Sequence, residues 1–67
     1  MNVKPTVELA MEYFPDCSKE YARRMFTKMI RKNKDLSKLL EQTYYRPGTR
    51  FLTPRQQELI IEYLGEP

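Results

Sequence analysis

The side chains with most chemistry to offer in this chain are cations, and they are crowded. Lys19, Arg23, Arg24, Lys28, Arg31, Lys32, Lys34 and Lys38 face only Glu20 and Asp35 within 19–38, a local charge of +6. Arg46, Arg50 and Arg55 against Glu41 make 39–55 another +2, whereas 1–18 and 56–67 are acidic, at −2 and −3. A basic middle between acidic ends points one surface at a polyanion and limits attraction elsewhere. Other reactive types are scarce. There is no histidine and a single cysteine, so no intrachain disulfide is possible and a zinc site lacks ligands. Cys17 stands beside Asp16 with no base nearby, which leaves its thiol inert. Glu8 and Glu12 lie one helical turn apart, but nothing positions them for acid–base work. The expectation is no catalytic residue, no metal and no cofactor, and no enzyme activity.

Length and composition agree. With 67 residues, 40% of them apolar and 31% charged, the chain reads as one domain over 1–67, too apolar for a disordered tail and too small for a deep cleft. No apolar run approaches a membrane span and no signal peptide is evident, so a reducing cytoplasm is the expected compartment, without a membrane partner.

Punctuation divides the sequence into elements that must position those cations. Pro5 and Thr6 open a first helix, with Thr6 as its cap and Leu9, Ala10 and Tyr13 inward; Pro15 stops it after Phe14. Ser18 caps a second helix over 19–33. Its apolar residues Ala22, Met25, Phe26, Met29 and Ile30 follow the i, i+3, i+4, i+7, i+8 pattern. Asp35 is expected to cap a short third helix with Leu36, Leu39 and Leu40 inward. Between Thr43 and Leu52 the period changes. Tyr44-Tyr45-Arg46 and Thr49-Arg50-Phe51-Leu52 flank Pro47-Gly48, which suits the centre of a type II turn and predicts a short two-stranded hairpin, or at least an extended loop, lying on the helices as a wing over 44–52. Thr53-Pro54-Arg55-Gln56 is a capping box with proline at the first helical position, and the last helix runs over 54–64 to Gly65. The methionines read as filler for an irregular small core.

Helix, turn, basic helix, short helix, hairpin, helix is the plan of a helix-turn-helix. At about 100° per residue, the second helix centres its apolar stripe near Ala22, Phe26 and Met29. The opposite arc carries Glu20, Arg24, Thr27, Lys28 and Arg31, with Arg23 at its edge. Such a helix can enter a major groove, with long donors reaching base edges and phosphates. Lys19 and Lys32 at its ends, and Arg46 and Arg50 on either side of the hairpin turn, complete the set expected to contact double-stranded DNA. One of Tyr44 and Tyr45 can stack on bases while the other packs. A competing reading comes from the last helix. Leu59, Ile60, Ile61, Tyr63 and Leu64 make a stripe wider than one core contact needs, so Leu59 and Tyr63 could serve a homodimer or a protein partner, and the chain would be an adaptor.

The layout resembles the excisionase and MerR-type winged helix-turn-helix modules. Glu8-Leu9-Ala10, the capped stretch from Ser18 through Ile30, Arg50-Phe51-Leu52-Thr53 and Gln57 through Leu64 match their successive parts. More closely, the chain is similar to a family of short proteins from gut anaerobes with an E-L-A…Y-x-P-D-x-S start and an F-T-P-x-Q…L-I…L-G-E-P end. The matching residues are Glu8-Leu9-Ala10, Tyr13, Pro15-Asp16 and Ser18, then Phe51, Thr53-Pro54, Gln56, Leu59-Ile60 and Leu64-Gly65-Glu66-Pro67. Arg23 and Met29 depart from it, standing where tryptophans are expected. The resemblance implies a mainly α, small winged helix-turn-helix fold, and a DNA-binding module that regulates transcription or assists recombination as an architectural factor.

Overall fold

In the computed structural model, residues 3–46 and 48–67 are described, and their backbone forms four helices and two short strands. The order is β1 (Lys4–Pro5), α1 (Thr6–Tyr13), α2 (Lys19–Lys32), α3 (Lys34–Glu41), β2 (Phe51–Leu52) and α4 (Pro54–Leu64). The helices pack in sequence, α1 on α2, α2 on α3 and α3 on α4. One core joins them: Leu9 and Ala10 of α1, Ala22, Phe26 and Ile30 of α2, Leu36 and Leu40 of α3, Leu59 and Ile60 of α4, with Leu52 and Tyr45 between. Ala10 and Ala22 are both fully buried, small residues on the two helices that pack together. The Tyr13 and Phe26 rings meet at 5.7 Å between centroids, and the Tyr13 hydroxyl donates to the Gly65 carbonyl, tying α1 to the end of α4. Met11 packs against this core, and Met25 and Met29 are half-buried.

Two expected caps are replaced. Pro5, not Thr6, precedes the first turn of α1, and no side chain caps that helix. The Thr6 hydroxyl is engaged elsewhere, donating to the Thr49 carbonyl at 2.7 Å. For α3 the cap is Asn33, whose Oδ1 accepts from the Leu36 N–H at 3.0 Å, which places Asp35 within the first turn. The α2 cap stands where expected, with the Tyr21 N–H donating to Ser18 Oγ at 3.2 Å. The α4 capping box is complete: the Gln56 N–H donates to Thr53 Oγ1, and the Thr53 N–H donates to Gln56 Oε1.

Of the hairpin or extended loop expected over 44–52, the described residues form the loop and no hairpin pairing. β2 instead pairs antiparallel with β1 at the other end of the chain, Lys4 opposite Leu52 and Pro5 opposite Phe51. The physical reason lies at the end of α3. The Tyr45 N–H donates to the Leu40 carbonyl and the Tyr44 N–H to the Glu41 carbonyl, the paired bonds of a Schellman motif. Tyr44 takes the left-handed position of that motif at φ +65°. This buries Tyr45 at 7% exposure beside fully buried Leu40, so the residues expected to extend as a strand are spent on ending a helix. The turn itself survives: the Thr49 N–H donates to the Arg46 carbonyl at 3.0 Å. Gly48 has the positive φ, +91°, that such a turn requires. Pro47, the other expected turn residue, lies outside the described residues, as does Met1.

Candidate nucleic-acid interface

The second helix is held as a rigid bar before it presents anything. Its inner residues Ala22, Phe26 and Ile30 recur every four positions and are at most 2% exposed. Ser18 caps its start, while Asn33 ends it and begins α3. The Ser37 hydroxyl donates to the Ile30 carbonyl at 2.9 Å, satisfying a terminal acceptor of α2 and fixing its corner with α3. Arg31 and Lys32 occupy the last turn, where the helix dipole favours cations.

On the other side of that bar runs an open groove of about 690 Å³, lined by Glu20, Arg23, Arg24, Thr27, Lys28, Arg31 and Gly48. Six of those seven are the arc expected from helical periodicity. The seventh, Gly48, shows that the loop 43–50 lies along the helix. At one end Arg46 joins Thr27 and Arg31 around a neighbouring recess of about 410 Å³, together with Tyr44, Tyr45 and Glu41. At the other end Arg50 joins Lys19, Glu20 and Arg23, beside Pro5, Val7 and the exposed Phe51. The loop therefore runs antiparallel to α2, setting one arginine near each end of it. Lys32 lines none of these three recesses. It borders a separate shallow depression with Met29, Asn33, Lys34 and Asp35.

Hydrogen bonds at both ends and across the turn hold the loop in place. The Schellman bonds fix its start, and the Arg46 N–H donates to Thr49 Oγ1 at 3.1 Å across the turn. At its end the Thr6 N–H, an orphan donor of the first turn of α1, donates to the Arg50 carbonyl at 2.8 Å. Arg50 thus lends its backbone to the fold and leaves its side chain at the surface.

Among the described residues the ion pairs are Lys4 with Glu12, and Arg55 with Glu58 at 3.7 Å on the exposed flank of α4. None of Lys19, Arg23, Arg24, Lys28, Arg31, Lys32, Arg46 or Arg50 pairs with a carboxylate there. Glu20 and Glu41 are the acids bordering the three recesses along α2. Guanidinium and ammonium groups left unpaired on a ridge and a flanking loop can take phosphate oxygens, and an arginine fork can also take a guanine edge. Among the described residues no three of the His, Cys, Asp and Glu side chains are grouped to hold an ion. Cys17 is half-buried against the core.

The surface considered for a protein partner changes more. Leu59 is 3% exposed and belongs to the core with Ile60, because α4 packs against both α3 and β2. Its wide stripe is thus largely consumed within the domain, and of the expected pair only Tyr63, at 41%, reaches solvent. Among the described residues no helix is long and apolar enough to cross a membrane.

A family model described as a domain of unknown function (DUF4248) matches residues 1–67. No curated protein and no solved structure matches the chain.

Proposed function

The chain belongs to the DUF4248 family, and we propose that this domain binds double-stranded DNA, with α2 in the major groove and the loop 43–50 on the flanking backbone. The observation that carries this reading is the convergence of unpaired cations from two segments of the chain, Arg23, Arg24, Lys28 and Arg31 from α2 and Arg46 and Arg50 from the loop. Both segments are fixed by buried side chains or hydrogen bonds, so the backbone that carries the charges needs little ordering on binding. On this reading α1, the connection 14–18 and α2 act as a helix-turn-helix. The loop does the work of a wing without a hairpin of its own. Arg24 near the middle of the groove is the candidate reader of a base edge. Lys28, Arg31, Arg46 and Arg50 take phosphates. The domain would serve as a small transcriptional regulator or an excisionase-like architectural factor.

A salt titration of binding to duplex DNA tests the proposal. If about four to six phosphates are neutralised, log K falls against log salt with a slope of roughly −4 to −5. Absence of binding at low salt would overturn it and return attention to Tyr63 and a protein partner.

A further inference from the structure

Tyr44 combines two features that ordinary folding does not favour. It is the only non-glycine residue with positive φ among the described residues, at +65°. Left-handed backbone disfavours a side chain through the contact of Cβ with the following carbonyl, which is why glycine usually fills this position of a Schellman motif. Its ring is also 90% exposed, and its hydroxyl has no hydrogen-bond partner among the described residues. The ring therefore repays neither the backbone strain nor its own contact with water through packing. The next residue, Tyr45, is the one that packs in the core. Tyr44 stands at the mouth of the recess lined by Thr27, Arg31 and Arg46, the end of the cationic groove where helix and loop come together. Strain retained at an exposed aromatic beside unpaired arginines is the pattern of a ligand contact rather than of a core.

We propose that Tyr44 is a nucleobase contact: its ring stacks on a base partly unstacked at the edge of the bound duplex, while Arg31 and Arg46 hold the neighbouring phosphates. This rests on the DNA-binding reading of α2 and adds a residue that phosphate neutralisation alone does not require. Aromatic side chains gain substantially from stacking on bases, and pyrimidine–purine steps open at low cost. The fixed backbone of Tyr44 limits the entropy lost when the ring is captured.

Two variants test it, both at a solvent-facing position where the core is untouched. Tyr44→Gly removes ring and strain together. It should raise the melting temperature yet weaken duplex binding on the order of tenfold, and leave affinity for inorganic polyphosphate unchanged. Tyr44→Trp introduces the sole tryptophan of the chain. It should retain duplex affinity, with fluorescence quenched by the duplex and not by polyphosphate, which offers charge without bases. Equal quenching by both polyanions, or none by the duplex, would overturn base stacking. If Lys28→Ala weakens duplex binding while Tyr44→Gly does not, the Tyr44 proposal fails and the reading of α2 stands. If the unaltered protein does not bind the duplex, both fail.

Discussion

Gln56 Nε2 donates to both the carbonyl and the hydroxyl of Thr43, at 3.0 and 3.1 Å, so the residue that closes the capping box of α4 also holds the start of the loop carrying Tyr44 and Arg46. Gln56 is only 4% exposed, and the Thr43 hydroxyl in turn donates a hydrogen bond to the Leu40 carbonyl. Helix cap, loop anchor and the end of α3 thus share one buried amide.

That sharing separates two kinds of substitution. Thr53→Ala removes a cap and should cost about 1 kcal/mol. Gln56→Ala leaves the Thr43 carbonyl without its donor and should cost more, about 2–3 kcal/mol, as read from urea denaturation midpoints. Gln56→Glu keeps an acceptor for the Thr53 N–H but loses the donors to Thr43. Its deficit relative to the unaltered protein should shrink on acidification, because a protonated carboxyl can donate again. Equal losses for Thr53→Ala and Gln56→Ala would show that the loop anchor contributes nothing.

Arg50 and Thr53 are three residues apart and serve different ends. The bond from the Thr6 N–H uses the Arg50 carbonyl, which alanine retains. Arg50→Ala should therefore leave the melting temperature nearly unchanged and reduce duplex affinity, the converse of Thr53→Ala. Destabilisation by Arg50→Ala with binding intact would make the arginine structural and remove the loop from the interface.

Within the groove, positioning and readout should separate. Lys28→Ala and Arg31→Ala should weaken binding to all duplexes similarly and each reduce the salt slope by about 1. Arg24→Ala should cost about 1–3 kcal/mol mainly on a preferred sequence. Competition binding against random duplex measures both. Three silent substitutions would dismiss α2 as the contacting helix.

Tyr45 supplies a pH test of the core. Burial raises its phenol pKa above the ordinary value. The folded state therefore holds the proton that the unfolded chain releases first. The stabilisation is complete below the ordinary value of about 10, and is lost as pH rises from there through the higher folded pKa. Tyr13 shifts the same way, through burial first and then the charges of Glu12 and Glu66. Tyr45→Phe should accordingly flatten, without abolishing, the loss of stability in alkaline urea titrations. An unchanged alkaline profile would mean Tyr45 is not held in the core.

What was legible in the sequence was local and periodic. The apolar spacing of α2 identifies its buried residues Ala22, Phe26 and Ile30 and so its outer arc, and the signals at Ser18 and Thr53 mark helix starts because their side chains bond within three residues. What was not legible depends on partners distant in the chain. Thr6 looks like a cap until Thr49 competes for its hydroxyl, and Leu52 looks like half of a hairpin until Lys4 pairs with it. Tyr44 and Tyr45 favour a strand by type, but the end of α3 claims their amides. Leu59 reads as surplus apolar surface only while the packing of α4 on α3 and β2 is unknown. For the candidate interface, α2 could be read directly. The antiparallel course of the loop, which brings Arg46 to Arg31 and Arg50 to Lys19, could not.

On the proposed function, one face, formed by α2 and the loop 43–50, receives duplex DNA. Amide chemical-shift mapping during titration with a short duplex at low salt tests it most directly. The largest shifts should fall on Arg23, Arg24, Thr27, Lys28, Arg31, Tyr44, Arg46 and Arg50, reverse on adding salt, and spare Glu58, Glu62 and Tyr63 on α4. Shifts concentrated on α4, or none along α2, would contradict it.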